Sequence, residues 1–233
     1  MGLSLGLSCA ENSEGFMSNE MRQHRFRPAK GAADILLIRH GETQAAIKGQ
    51  DFPMCDGQGD PALRPEGHAQ AKAVAARLTD QPIGAIYVTN LQRTHQTAAP
   101  LARALGLTPF VEADLREVFL GDWDGGEFRF RAAAGDPAVL RARERHEWGE
   151  LPNAETTLAF QTRVRRGLLR IAAAHPDEQI AAIVHGGVVG AALAIATGAK
   201  AFSFSGSANG SISRIVIRGE EMIVRGFNDC AHL

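Results

Sequence analysis

The stretch "LLIRHGET", Leu36–Thr43, constrains this chain more than any other. A continuous apolar run, Ile35–Ile38, suits a strand buried on both faces, as in a parallel sheet. It ends in an arginine and a histidine side by side. Two such groups are costly to bury unless something anionic lies beside them. The run therefore predicts a buried strand that delivers a positively charged tip to a site for an anion.

The rest of the chain repeats the pattern. "IGAIYVTN" reads as a second strand, followed by a helix in "LQRTHQTAAPLARALG" with Gly106 near its C-cap. "QIAAIVHGG" is a third buried strand, also ending in a histidine, and "VVGAALAIATG" is a nearly all-apolar helix. A helix with Pro65 in its first turn runs through "EGHAQAKAVAARL", with Ala69, Ala73, Ala76 and Leu78 on its inner face. "ETTLAFQTRVRRGLLRIAAAH" is amphipathic, with Leu158, Val164, Leu168 and Ile171 near one face. Residues 48–65 read as a long loop, and residues 127–150 as a polar, arginine-rich helical excursion. "GSISRIVIRGEEMIVRGFN" reads as two strands joined by a Gly-Glu turn. Alternating strands and helices predict an α/β fold: a three-layer α/β/α sandwich with a mostly parallel central sheet and a small lid or insertion.

Composition sets the limits on partners. Net charge is −1 over 233 residues, so no global field favours nucleic acid or an anionic membrane, and the anion site must be local. The three cysteines, Cys9, Cys55 and Cys230, lie far apart without metal spacing, which predicts free thiols in the cytoplasm. Residues 1–33 read as a flexible N-terminal tail, a poor secretory leader and, with Gly6 where Ser or Thr is wanted, a poor myristoylation signal at Gly2, and residues 34–233 read as one domain. The terminal strand pair offers an edge through which a homodimer is possible.

In open α/β sheets, ligands bind at the carboxyl ends of the strands. Arg39, His40 and His185 should converge there, and Arg93 follows the second strand closely enough to join them. Such a set suits phosphoryl chemistry. Guanidiniums hold a phosphoryl group bidentately. A neutral imidazole is a nucleophile, a second histidine can donate to an equatorial oxygen, and a carboxyl group such as Glu117 can protonate a leaving oxygen. No metal ion or cofactor is required. Taken singly, each residue is more simply a structural histidine, a surface arginine or a solvated turn carboxylate. Their order and context make the joint reading the stronger one.

The chain resembles the histidine phosphatase superfamily, the phosphoglycerate mutase-like group, over about residues 34–233. "LIRHGET" resembles the family signature. "NLQRTHQTA" is similar to its S-x-L-x-R-A-x-Q-T-A element, "LREVFLGDWDG" to its L-x-E-x-x-x-G-x-W-E-G element, and "NAETTLAFQTRV" to its G-E-S helix start. "IVHGG" and "FNDCAHL" resemble the remaining motifs. The resemblance implies that His40 is the nucleophile and becomes phosphohistidine. It implies that Arg39, Arg93 and His185 bind the phosphoryl group, that Glu117 donates and accepts the proton, and that Thr43 and the amide of Gly186 assist. Two positions depart from the pattern: Ala46 stands where many members have Asn, and Arg64 where the N-cap is usually Thr.

A phosphomonoester phosphatase acting on a small phosphorylated metabolite, a sugar phosphate or phosphoglycerate type, is the expectation. A phosphoglycerate mutase or sugar bisphosphatase is the alternative, and a non-catalytic phosphate-ligand binding protein of the same fold is a second. The arginines of the polar excursion, Arg129, Arg131, Arg141, Arg143 and Arg145, form either a lid for an acidic substrate or a solvated face, since Glu144, Glu147 and Glu150 interleave with them.

Overall fold

The computed structural model describes residues 23–233. The buried run predicted at the start of the fold is β1, Ala33–Arg39, and it lies near the middle of a six-stranded sheet. The chain continues through a tiny hairpin, β2 (Met54–Cys55) and β3 (Gln58–Gly59), to α1 (Pro65–Leu78), β4 (Ile83–Val88) and α2 (Gln92–Leu105). The short β5 (Phe110–Val111) leads through two 3-10 turns into α3 (Glu127–Ala133) and α4 (Pro137–Arg145). Then follow α5 (Thr157–Ala174), β6 (Gln179–Val184), α6 (Gly186–Thr197) and the hairpin β7 (Ile212–Arg218) and β8 (Glu221–Asp229).

The sheet order is β5-β4-β6-β1-β7-β8. The first four strands are parallel, and β7 and β8 run antiparallel at one edge. Alternate side chains of β1 point to opposite faces. Ile35 and Leu37 pack with Phe160, Val164, Leu168 and Ile171 of α5 and with Val188, Val189 and Ala192 of α6. Leu36 and Ile38 pack on the other side with Val74 and Leu78 of α1 and Ala98 and Leu101 of α2. The molecule is thus a three-layer α/β/α sandwich. A third, smaller apolar cluster of Trp123, Val139, Ala142 and Leu151 holds the α3–α4 insertion together above the carboxyl ends of the strands.

Two expected helix faces are corrected. In α1 the buried residues are Gly67, Ala71, Val74, Ala75 and Leu78, whereas Ala69 and Ala76 are exposed. The largest apolar side chains decide which way the helix turns, and Val74 with Leu78 outweighs a row of alanines. In α5, Leu158 is 74% exposed. The inner face begins at Phe160 and continues through Val164, Leu168 and Ile171, and Leu158 lies two residues before it, on the opposite side. The expected loop over residues 48–65 contains the β2–β3 hairpin. Pro100 lies within α2 without ending it, and Gly106 caps that helix at φ 67°. The predicted tail falls largely outside the described residues. Its last part belongs to the fold, since Ala32 and Ala33 are buried and the Gly31 N–H donates to Asp177 Oδ1 at 2.6 Å.

Candidate active site

The pairing register explains how residues 145 positions apart meet. β1 and β6 run in parallel with Arg39 opposite Val184. The next residue of each strand, His40 and His185, therefore leaves the sheet beside the other, and their ring centroids are 5.2 Å apart in an edge-to-face arrangement. The backbone locks the pair, since the His40 N–H donates to the Val184 carbonyl at 2.9 Å. A close approach follows directly. A Cβ on Gly41 would lie 2.4 Å from the Gly67 carbonyl oxygen, so only glycine lets the strand tip pass the start of α1 at this point.

His40 is 7% exposed. Its Nδ1 lies 2.7 Å from the Gly41 carbonyl oxygen, which can only accept, so Nδ1 carries the proton. Burial, then the Arg93 and Arg39 guanidiniums, pushes His40 well below the ordinary imidazole range. That direction favours the neutral ring, whose Nε2 has no hydrogen-bond partner among the described residues. His185 is fully buried, and its Nε2 lies 3.0 Å from Thr89 Oγ1. Its Nδ1 has no partner among the described residues. Burial and the neighbouring Arg93 push it down as well.

Arg39 turns from the strand end so that Nη1 donates to the Ser207 carbonyl, while its buried Nε is left without a partner among the described residues. Arg93, on the first turn of α2, donates to the Gly59 carbonyl at 3.0 Å and stands 3.7 Å from Asp60. Burial pulls both guanidiniums below their usual value, and Glu117 opposes this in each case. Glu117 itself is held by four residues, one of them its neighbour Val118, whose N–H donates to Oε1 at 2.9 Å. Gln58 Nε2 and Arg163 Nη2 donate to its carbonyl at 2.8 and 2.7 Å, and the Gly187 N–H donates to its Oε2 at 3.2 Å. Arg163 is anchored in turn by a paired contact with Glu155 and by the carbonyls of Asp114 and Arg116.

These groups face a cavity of about 690 Å³, with the insertion on its far wall. Arg39, His40, Thr43, Arg93 and Glu117 line it; His185 lies behind, fully enclosed. Gly186, which opens α6, lies instead on the wall of an adjoining smaller chamber. Of the five arginines in the polar excursion only Arg129 lines the main cavity, where it donates to Thr43 Oγ1 at 2.7 Å and to the Gln44 carbonyl at 2.8 Å. Arg131, Arg141 and Arg145 are exposed and paired with Glu127, Asp136 and Glu150, as a solvated face would be. Ala46 also lines the cavity, and Arg64 sits at its mouth between Glu42 and Glu66.

Sequence reasoning passed over three residues of this site. Gln58, 2% exposed, holds the Glu117 backbone and leaves its Oε1 unpartnered among the described residues. Asn209 donates to the His40 carbonyl at 2.9 Å. Arg163 was part of a motif without a role. The first two stand outside the helices and long strands, where no periodicity marks them. For Arg163 the signal was its place near the start of α5, within reach of the turn that carries Glu117.

Chemically, the cavity offers guanidinium donors, a neutral imidazole with a free lone pair, and a carboxyl group across from them. That set can bind a tetrahedral oxyanion, attack its centre and exchange one proton.

Comparison with known proteins adds four findings. The family described as the histidine phosphatase superfamily (branch 1) matches residues 35–230. The Mycobacterium tuberculosis Bifunctional protein Rv2228c is 33% identical over 152 residues, covering 65% of this chain but 40% of its own length. This chain thus spans well under half of that curated relative. The Metal-independent phosphoserine phosphatase of Arabidopsis thaliana is 28% identical over 204 residues, covering 86% of this chain and 83% of its own. The solved structure of the mycobacterial glucosyl-3-phosphoglycerate phosphatase superposes with a TM-score of 0.71 at 26% identity, over 84% of this chain and 99% of that one.

Proposed function

From its membership of the histidine phosphatase superfamily, branch 1, to which the chain belongs, we propose that it is a metal-independent phosphomonoester hydrolase for a small phosphorylated metabolite. The observation that carries this is His40: a buried, neutral imidazole whose proton is fixed on Nδ1, leaving Nε2 free between Arg39 and Arg93. The phosphatase names of relatives matched over most of their length support the same class.

In this reading Arg39, Arg93 and His185 hold the phosphoryl oxygens, and Thr43 and Arg129 close the mouth side. The His40 Nε2 lone pair forms a bond to phosphorus while the bond to the ester oxygen breaks. Glu117 gives its proton to that oxygen, and the alcohol departs. Water then attacks the phosphohistidine, Glu117 takes a proton from it, and the P–N bond breaks to release inorganic phosphate and neutral His40. Throughout, Nδ1–H keeps its bond to the Gly41 carbonyl. The fixed donors meet charge that grows on the equatorial oxygens, which is where preorganised electrostatics contributes most.

No helix among the described residues is long and apolar enough to cross a membrane. A cytoplasmic enzyme that forms a homodimer through the β8 edge completes the proposal; a monomer mass in solution would remove the dimer from it. The test of the function is phosphate release, with a chelator present, from a panel of phosphomonoesters that includes 3-phosphoglycerate. Release should be insensitive to the chelator, lost in His40→Ala, and accompanied by an acid-labile phosphoenzyme in the wild type. Isomerised phosphoglycerate without phosphate release would replace this reading with a mutase, and full activity in His40→Ala would overturn it.

A further inference from the structure

A second chamber of about 270 Å³ adjoins the main cavity, and the two share Arg39, Glu117, Trp148 and Gly187 in their walls. Its floor is the glycine face of α6, Gly186, Gly187 and Gly190, which lets Arg39, Glu117 and the Phe204 backbone approach the helix closely. Phe160, Trp148 and Phe202 form its sides. Among the described residues, Arg39 and Glu117 are the sole ionisable groups of its lining.

Phe202 supplies an independent sign that the chamber is built for a purpose. It stands at φ 72°, a left-handed conformation that a bulky residue rarely adopts. In that position its ring lies 4.6 Å from the Trp148 ring, tilted by 55°, so backbone strain is tolerated in forming an aromatic wall. Trp148 comes from the insertion and Phe202 from the turn after α6, so the wall joins two segments far apart in the sequence.

The position of Glu117 decides what the chamber can hold. The leaving oxygen of a phosphomonoester must lie within reach of the Glu117 carboxyl, and that carboxyl stands on the wall common to both spaces. His40 and Arg93 line the main cavity only, so the phosphoryl group belongs there. A substituent on the leaving oxygen can then cross into the second chamber. A chamber with aromatic sides, a glycine floor, the uncharged polar Thr157, Gln161 and Ser205, and no charged group beyond the shared wall suits a flat uncharged group and opposes a charged one.

We propose that this chamber is the leaving-group subsite, and that it selects phosphomonoesters whose alcohol carries a flat, uncharged, ring-bearing group. The inference rests on the phosphatase reading and deepens it by naming the substrate class.

The experiment compares kcat/KM for 2-naphthyl phosphate and glycerol 2-phosphate in the wild type, Phe202→Gly and Ala201→Trp. The intrinsic reactivities of the two esters cancel when their ratio is followed across variants. Phe202→Gly removes the ring and relieves the left-handed backbone, at the cost of its packing on Trp148, so its melting temperature is measured beside the ratio. Ala201→Trp fills the chamber instead of widening it. Both should lower the naphthyl-to-glycerol ratio by about tenfold, the scale of taking one aromatic ring and its buried area away from the ester. A ratio unchanged in both variants overturns the subsite while leaving the phosphatase reading intact. No hydrolysis of any ester on the phosphomonoester panel by the wild type overturns both.

Discussion

Gly187 is the position at which geometry and chemistry can be separated most cleanly. It lies in the first turn of α6, and its N–H donates to Glu117 Oε2 at 3.2 Å. A Cβ built there would lie 2.3 Å from Glu117 Oε1. Ordinary carbon–oxygen contact begins near 3.4 Å, so in Gly187→Ala the carboxyl group must retreat by about 1 Å. A misplacement of about 1 Å at a reacting group costs on the order of 100-fold in rate. The fold should change little, because the atom met is the far end of the Glu117 side chain and alanine is tolerated in the first turn of a helix. The variant is expected to melt close to the wild type and yet to be a poor enzyme.

The leaving group makes the prediction specific. kcat/KM reports the steps up to the first P–O cleavage. An alkyl ester such as glycerol 2-phosphate needs its leaving oxygen protonated, so its kcat/KM should fall about 100-fold. The p-nitrophenolate anion leaves without a proton, so kcat/KM for p-nitrophenyl phosphate should fall far less. In the proposed mechanism hydrolysis of the phosphohistidine still needs Glu117 as a base, so nitrophenolate should appear as a burst of one equivalent followed by slow turnover. Stopped-flow absorbance and steady-state phosphate release measure both. An equal fall for the two esters, with no burst, would refute Glu117 as the displaced proton donor.

Two further outcomes follow from the same contacts. His40 and His185 are held neutral by burial, with folded pKa values below the unfolded value of about 6.5. The unfolded chain therefore takes up protons first as pH falls below about 6.5. Stability present above that pH should be lost below it, by up to about 1.4 kcal/mol per pH unit for each histidine. Urea midpoints from pH 8 to 5 should fall, and fall less steeply in His185→Gln; a flat profile would contradict the neutral pair. Arg163→Ala should destabilise by roughly 3 kcal/mol, since it leaves the largely buried Glu155 carboxylate without its partner. It should also reduce kcat by freeing the Glu117 backbone; denaturant melts and p-nitrophenyl phosphate turnover check the two effects.

Much of this site was legible because strand tips are legible. β1 and β6 are continuous apolar runs, and a charged residue just after such a run has few reasons to be there. Parallel pairing then makes neighbours of His40 and His185, since residues in register leave the sheet together. The small residues were harder. Alanines lie on several faces of α1, and only the larger Val74 and Leu78 reveal which face is buried. Gln58 and Asn209 bind backbone carbonyls from irregular segments, where one polar residue reads like another. Arg129 could not be told from its four neighbours by composition, because α3 presents only that one arginine to Thr43.

The cost of this arrangement points back to its purpose. Burial pulls the Arg39, Arg93 and Arg129 guanidiniums downward, and it forbids charge on both histidines. The buried Arg39 Nε and His185 Nδ1 lack partners among the described residues. In a chain of net charge −1 such a concentration of unmet donors has no structural gain to offset it. In the proposed function a phosphoryl group would remove the conflict, because its oxygens would accept from the guanidiniums while its phosphorus lay open to the His40 Nε2. Each equatorial oxygen gains charge as the bonds rearrange, so donors already in place bind that state more tightly than the ester. In the proposed reaction the same groups that strain the free protein would lower the barrier, and would do so without having to move.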